Sequence, residues 1–323
     1  MFDDNRTSPL DTLPSLLAAL CWGAMFPIAA SAMHRIDPFP LTAIRYGVAV
    51  PVWIVLLVAL EGRKALRTDG RGLELFALGS LGFAGFNLLS YLGLEHTRPQ
   101  DAALIVAAQP LLTVLVLWLT AKQTPAKAML VSMGVALLGV ALVISRGHVS
   151  NLAHGSSGDL LILVGAVGWV FYTLGARRFA GLSPLRYTTL TAAGGTITIL
   201  AATAAITATG AETLPGAGDL GAEWLQVVFV IFMGGVIAVM AWNEGIRRLG
   251  PANGALFINL VPVVTFAIAI GQGYIPGGYE IAGALLTVVA LVAANLAGRQ
   301  AIRFPSRLAW AATREAKSAK SLP

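Results

Sequence analysis

The sequence contains ten apolar stretches, each long enough to cross a lipid bilayer as a helix, since a transmembrane helix needs about 20 apolar residues. They cover residues 13–33, 39–60, 72–94, 99–121, 126–145, 158–179, 184–209, 223–248, 251–273 and 278–298. Only 12% of the residues are charged and 56% are hydrophobic, whereas soluble domains carry about 25% charged residues. In water such a chain would expose large apolar patches. The sequence therefore predicts an all-α polytopic membrane protein with ten transmembrane helices.

Lysine and arginine are distributed unequally between alternate loops. Seventeen of the 22 basic residues lie on one side of the predicted bundle, and only Arg35, Arg98 and Arg146 lie on the other. The remaining two, Arg45 and Arg186, lie inside spans near their starts. Because loops that face the cytoplasm are enriched in lysine and arginine, we expect both termini in the cytoplasm, as an even number of spans requires. The acidic N-terminus lacks the basic start of a cleaved signal peptide.

The composition also argues against several kinds of site. The single cysteine, Cys21, has no partner for a disulfide or a Cys/His metal site, and we expect no metal site. The net charge of +6 could indicate nucleic-acid binding. The basic residues nevertheless lie in short loops beside apolar spans, which is a topology signal, so membrane lipid rather than nucleic acid is the expected contact.

The two halves of the chain resemble each other. Four residues recur 152 positions later, so that Gly93, Pro99, Leu104 and Pro110 correspond to Gly245, Pro251, Leu256 and Pro262. Arg45-Tyr46 corresponds to Arg186-Tyr187, and Trp22 to Trp169. Chance similarity between two apolar segments is the alternative. Because each half holds an odd number of spans, the halves would enter the membrane from opposite sides, an arrangement typical of secondary transporters.

This arrangement predicts four parts. Residues 1–12 form a cytoplasmic N-terminus, 13–150 a first five-helix repeat, 151–298 a second, inverted five-helix repeat, and 299–323 a basic cytoplasmic tail that contacts anionic lipid.

The sequence resembles the drug/metabolite transporter superfamily, and within it the EamA-type exporters. The resemblance covers residues 13–298 and is carried by Trp22, by the LTAIRYGVAV start of the second span, and by the paired segments that begin at Arg98-Pro99 and Gly250-Pro251. The chain is similar in particular to the bacterial aromatic amino acid exporter branch, whose members also transport viologen-like compounds. Exporters of threonine, cysteine-pathway metabolites and quaternary ammonium compounds share these motifs. The resemblance implies a ten-helix basket in which the two repeats surround a central cavity, with no bound cofactor and no ATPase, in the bacterial cytoplasmic membrane.

Neutral polar and aromatic residues in the middle of the spans are the predicted substrate-binding residues. They are Trp22, Asn87, Tyr91, Gln109, Trp169, Tyr172, Trp242, Asn243 and Asn259. Amides in hydrocarbon must face the bundle interior or water, but they can equally join helices to one another. Tryptophans can also form interfacial belts, which is the expectation for Trp53, Trp118 and Trp224. Pro110 and Pro262 are predicted as hinges, with static kinks as the alternative.

No ionisable residue is expected at mid-bilayer, and Glu244 is expected to pair with Arg247 or Arg248. Because intramembrane charges mark proton and ion pathways, we expect facilitated diffusion or exchange rather than strong proton coupling. An aromatic cavity with amides suits amino acids, and it would also suit planar cations. The predicted function is export of aromatic or other neutral amino acids. The alternatives within transport are the export of quaternary ammonium compounds and the transport of nucleotide sugars. The alternatives outside transport are a receptor or scaffold, and a membrane-embedded enzyme of lipid metabolism, for which no catalytic cluster is evident.

Overall fold

This computed structural model describes residues 9–122, 124–125, 127–148, 157–249 and 255–301. All the regular secondary structure within these residues is helical. The principal helices are α1 (Pro9–Ala32), α2 (Pro38–Glu61), α3 (Gly72–Leu94), α4 (Pro99–Ala107), α5 (Gln109–Ala121), α6 (Lys127–Ser145), α7 (Ser157–Gly175), α8 (Pro184–Ala208), α9 (Trp224–Leu249), α10 (Leu260–Gly271) and α11 (Gly278–Ala301). Short helices at Arg63–Leu66, Ala176–Phe179 and Ala217–Ala222 lie in the connections, and Ala255–Asn259 precedes α10.

Six of these helices are long and apolar enough to cross a membrane, and a seventh span is formed if α4 and α5 count as one bent helix. The expected ten spans are therefore not confirmed by helix length. Three further apolar helices are shorter, at Leu130–Ser145, Phe257–Gly271 and Gly278–Ala293. The predicted start of the ninth span, at Pro251, lies outside the described residues.

Polar contacts between loops fall into two groups, one at each end of the bundle. At the first, called the Arg71 end, Arg178 pairs with Glu74, Arg186 with Asp69, and Arg248 with Asp11. At the second, called the Arg98 end, Asp37 accepts from Thr213, Thr97 donates to Asp159, and Arg98 pairs with Glu280. Each of these contacts joins loops that the charge pattern places on the same side of the bundle. Which end faces the cytoplasm stays a prediction.

Helices of the first half pack against helices of the second. Helix α1 contacts α9 and α10, while α7 contacts α3, α4 and α5. Helix α2 pairs with α8, and α6 pairs with α11. Helix α2 also contacts α3 and α9, so that the middle parts of α2, α3 and α9 lie close together.

Helices α6 and α11 cross at two glycines. A Cβ atom at Gly139 would lie 2.7 Å from the Gly283 carbonyl oxygen, and a Cβ at Gly283 would lie 2.6 Å from the Gly139 carbonyl oxygen. Small residues allow helices in a membrane to approach this closely, where no hydrophobic force between helices assists packing. The crossing therefore depends on the absence of a side chain at both positions.

Arg98 holds several helices together at the Arg98 end. Its guanidinium pairs with Asp101 at 2.8 Å and with Glu280, and it donates to the Tyr274 hydroxyl at 2.9 Å. Arg146 also pairs with Glu280, at 3.4 Å. Burial lowers the pKa of Arg98, but the Asp101 charge and the Glu280 hydrogen bond together raise it above its ordinary value. The network joins the starts of α4 and α11 and the end of α6.

Gly139→Ala is expected to lower stability by about 1–3 kcal/mol, because overpacking forces tightly packed backbones apart. Gly134→Ala, in the same helix, is the matched control, since a Cβ there meets no atom within 4 Å. Both variants are purified in detergent and heated, and size-exclusion chromatography monitors their thermal unfolding. Equal melting temperatures for the two variants would contradict the role given to this crossing.

Arg98→Ala is expected to lower stability by about 3 kcal/mol or more, because it leaves the buried Asp101 and Glu280 without their main partner. Arg35→Ala removes an arginine at the same end whose side chain is 56% exposed and lies 3.7 Å from Glu223. That control should cost about 1 kcal/mol or less. Thermal unfolding of both variants checks the difference, and an Arg98 variant as stable as the Arg35 variant would refute the assignment.

Candidate functional site

Two π-helical segments interrupt the middle of α3 and α9. They span Ser80–Gly85 and Phe229–Ile237, positions that the 152-residue offset of the repeat brings into correspondence. Because the wider turn of a π-helix disturbs the ordinary hydrogen-bond ladder, such segments are frequent at functional sites. Each supplies one carbonyl to a side chain here: Phe83 accepts from the Asn87 amide at 2.8 Å, and Gly234 accepts from two side chains described next.

Arg45 lies at the centre of this region and is only 3% exposed. Its guanidinium donates to the Asn87 side-chain oxygen at 3.0 Å, to the Tyr91 hydroxyl at 3.2 Å and to the Gly234 carbonyl at 3.3 Å. It also lies 4.9 Å from the centre of the Tyr46 ring. The structure therefore brings the predicted residues Asn87 and Tyr91 together around a cation.

Trp22 shares the Gly234 carbonyl with Arg45. The Trp22 indole nitrogen donates to that oxygen at 3.1 Å, and its ring lies 5.4 Å from the ring of Trp242. Trp22 and Trp242 are both partly buried. Two predicted residues from different halves of the chain thus form a tryptophan pair beside the Arg45 contacts. Asn243, the neighbour of Trp242, is also partly buried.

The other predicted aromatic residues belong to a contiguous ring cluster, formed by Tyr46, Trp53, Phe83, Trp169, Tyr172 and Tyr187. Trp169 lies 5.0 Å from Tyr172 and 5.8 Å from Phe83. Tyr172 stacks on Tyr187 at 5.2 Å, and the Tyr187 hydroxyl donates to the Tyr172 carbonyl at 2.7 Å. Since Tyr46 belongs to this cluster and also contacts Arg45, the cluster borders the Arg45 site.

Two predicted amides have unsatisfied polar atoms. Within the part of the chain that the structure describes, the Gln109 side-chain nitrogen is buried with no hydrogen-bond partner, and the same holds for both polar atoms of Asn259, which is 2% exposed. An unpaired buried amide costs about 1–3 kcal/mol. Neither residue forms the interhelical hydrogen bond of the alternative interpretation, and their role as substrate-binding residues stays a prediction.

The predicted hinge prolines each lie in the first turn of a helix. Pro110 is the second residue of α5, which is bent by 44° from α4. Pro262 is the third residue of α10, which follows the short helix Ala255–Asn259. Proline is well tolerated near a helix start because the first amide groups have no intrahelical partner. The bend lies at Ala108, just before Pro110, and movement at either proline stays a prediction.

The expectation that no ionisable residue lies at mid-bilayer stays a prediction, but Arg45 is an ionisable residue buried inside the bundle. Arg45 is the eighth residue of α2, so it lies about 10 Å along the helix axis from the first residue. Arg186, its counterpart in the repeat, is the third residue of α8 and pairs with Asp69 at the Arg71 end. The position of Arg45, seven residues after Pro38, was the signal that the sequence offered for its depth. The sequence did not reveal that its partners are neutral.

Two other expectations about single residues have different outcomes. Trp53 is not in an interfacial belt, since it is 1% exposed and packs 6.0 Å from Phe83, whereas Trp118 and Trp224 are exposed. Glu244 pairs with both Arg247 and Arg248, which confirms the expected partners.

The described residues contain no group of three or more His, Cys, Asp or Glu side chains that could hold a metal ion. One pocket at the Arg71 end is lined by Thr68, Asp69, Arg71, Arg178, Phe179, Gly181 and Leu182. It lies apart from the Arg45 site, and the central cavity stays a prediction.

Comparisons with known proteins assign the fold and family. A crystal structure with 24% sequence identity superimposes with a TM-score of 0.62, covering 91% of this chain and 99% of that chain. The "Uncharacterized transporter YrdR" of Bacillus subtilis is 34% identical over 90% of this chain and 92% of its own length. A "Probable terminal-alkyne amino-acid exporter" of Streptantibioticus cattleyicolor is 25% identical over 87% of this chain and 91% of its own length.

The model of the EamA-like transporter family matches this chain twice, at residues 13–145 and 156–296. The names of the family and of the relatives indicate transport of solutes across a membrane. The particular branch of aromatic amino acid exporters has no such support. With most of its length matched, the chain belongs to the EamA-like transporter family and is a multi-pass membrane protein.

Proposed function

We propose that this chain exports aromatic and other neutral amino acids across the bacterial cytoplasmic membrane, by alternating access without ATP hydrolysis. The observation that carries the proposal is the meeting of both halves at the Gly234 carbonyl, where Trp22 and Arg45 of the first half bind the second. Substrate sites of secondary transporters lie at such an interface between repeats.

The helix pairings support two inverted halves with five spans each. In the two repeats, α1 corresponds to α7, and the group α3, α4 and α5 corresponds to α9 and α10. Helix α1 contacts α9 and α10 of the second half, and α7 likewise contacts α3, α4 and α5 of the first half. Each half thus makes the counterpart of the other half's contacts. Two nearly equivalent halves can pack in two nearly isoenergetic ways, open to opposite sides. That supplies the bistable element that alternating access requires.

Amino acids fit the chemistry of the residues around Gly234. A flat side chain can pack on the rings of Trp22 and Trp242, because aromatic contacts favour tilted and offset geometries like the one between these two rings. The relative named as a probable amino-acid exporter supports the same class. The buried positive charge of Arg45 disfavours viologen-like dications, which the sequence alone left equally suitable.

The proposed function is tested by efflux from proteoliposomes loaded with labelled solutes. We expect phenylalanine, tryptophan and tyrosine to leave faster than from protein-free liposomes and faster than aspartate, glucose or methyl viologen, with no ATP present. Aromatic amino acids that leave no faster than aspartate would refute the substrate class. Methyl viologen as the fastest solute would instead establish the cationic alternative.

Trp22→Ala is expected to reduce the efflux of phenylalanine about fivefold or more, because it removes both a ring contact and the hydrogen bond to Gly234. Trp22→Phe keeps a ring without the hydrogen bond and should lie between Trp22→Ala and the unmodified protein. Trp118→Ala, at an exposed position, is the matched control. Equal efflux by Trp22→Ala and Trp118→Ala, at equal amounts of inserted protein, would remove Trp22 from the site.

A further inference from the structure

Arg45 is a buried cation whose partners are all neutral. Asn87, Tyr91 and the Gly234 carbonyl accept its hydrogen bonds, and no ion pair among the described residues includes it. Placing a charge in a low-dielectric interior is costly unless it is paired. Charges inside membrane segments are therefore mostly functional.

One edge of the Arg45 guanidinium is not fully used. Its Nε atom is buried and has no hydrogen-bond partner among the described residues, and the neighbouring Nη2 makes only the long 3.3 Å bond to Gly234. An arginine binds a carboxylate side-on through this pair of nitrogens, with two parallel hydrogen bonds. The two contacts to the other nitrogen, Nη1, hold the side chain in place.

The free edge faces two glycines of the opposite half. A Cβ atom on Gly234 would lie 3.8 Å from Nη2, and one on Gly235 would lie 3.7 Å from Nε. Because neither residue has a side chain, α9 presents only backbone to the edge at these two positions. The side chains of Met25 and Ala49 lie next to them, 2.9 Å from the Gly234 Cβ position and 3.4 Å from the Gly235 Cβ position. Admitting two carboxylate oxygens at this edge requires a displacement of α9 relative to α2.

We propose that the Nε–Nη2 edge of Arg45 binds the carboxylate of the transported solute. This assignment rests on the proposed function and names the group by which the substrate is recognised. The incoming carboxylate replaces the Gly234 carbonyl on Nη2, supplies the missing partner of Nε and neutralises the buried charge. Binding therefore breaks one contact between the halves, which links occupation of the site to their separation.

Asn87→Asp gives the sharpest variant. It places a carboxylate where Arg45 now donates to the Asn87 side-chain oxygen at 3.0 Å, so the internal pair satisfies the charge that the solute would otherwise neutralise. We expect this variant to melt at or above the temperature of the unmodified protein and to lose carboxylate binding. Arg45→Gln should lose it as well. Arg186→Gln, which changes the counterpart of Arg45 at the Arg71 end, is the matched control.

The experiment measures binding to the purified protein in detergent by tryptophan fluorescence. The probes are phenylalanine, 3-phenylpropionate, leucine, butyrate and, as the comparison that lacks a carboxylate, phenylalaninamide. We expect the unmodified protein and Arg186→Gln to bind phenylalanine at least about tenfold more tightly than phenylalaninamide. Asn87→Asp and Arg45→Gln should bind it at least about tenfold more weakly, since truncating one partner of a buried charge pair usually costs more than that.

The outcomes separate this proposal from the proposed function. Carboxylates that bind through Arg45, with no binding or efflux of amino acids, would leave the Arg45 site standing and refute the amino-acid substrates. Efflux of amino acids together with equal affinity for phenylalanine and phenylalaninamide would refute the Arg45 site alone. The site is also refuted if no probe with a carboxylate binds, or if a stably folded Asn87→Asp binds phenylalanine as tightly as the unmodified protein.

Discussion

The hydrogen bonds to the Gly234 carbonyl connect the two halves of the molecule at their centre. Trp22 and Arg45 donate to this oxygen from α1 and α2. In a bilayer every backbone polar group must find its partner within the protein, and a π-helical segment redistributes the bonds of the ordinary ladder. The carbonyl that α9 thereby offers is satisfied from the other half. This one acceptor binds both the Trp22 indole and the Arg45 guanidinium.

Glycines determine how closely the halves approach each other, and they do so in corresponding places. A Cβ on Gly93 would meet the backbone of Gly158, and one on Gly245 would meet Ser15. Gly93 and Gly245 are matched residues of the repeat, and each lies where its helix crosses the first helix of the other half. The recurrence of Gly93 as Gly245 thus has a packing reason, since only a residue without a side chain fits at either crossing.

The same correspondence does not extend to the site. Adding 152 to Asn87 and Tyr91 gives Val239 and Asn243, so the second half has no equivalent of the group that holds Arg45. Arg186 lies at the Arg71 end and pairs with Asp69. Two halves with related backbones therefore carry different polar residues. The two halves match the same family in sequence, but Arg45 is buried whereas its counterpart Arg186 is only partly buried.

Much of the fold was predictable, because hydropathy and charge along the chain are local properties that each segment carries by itself. They identified the apolar helices, the alternation of the loops and the repeat, and they placed Asn87 and Tyr91 on one helical face. Helix length was less predictable: α4 and α5 are bent apart at Ala108, just before Pro110, and three apolar helices are short.

The sequence by itself determined that this protein is a helical membrane protein with two related halves. Only the tertiary structure decided that Arg45 is buried while Arg186 pairs with Asp69, and that Trp22 meets Trp242. The partners in these contacts are far apart in the chain, as with Arg45 and Gly234, which are separated by 189 residues. No local pattern specifies which carbonyl a side chain meets, because that depends on how helices from opposite halves pack.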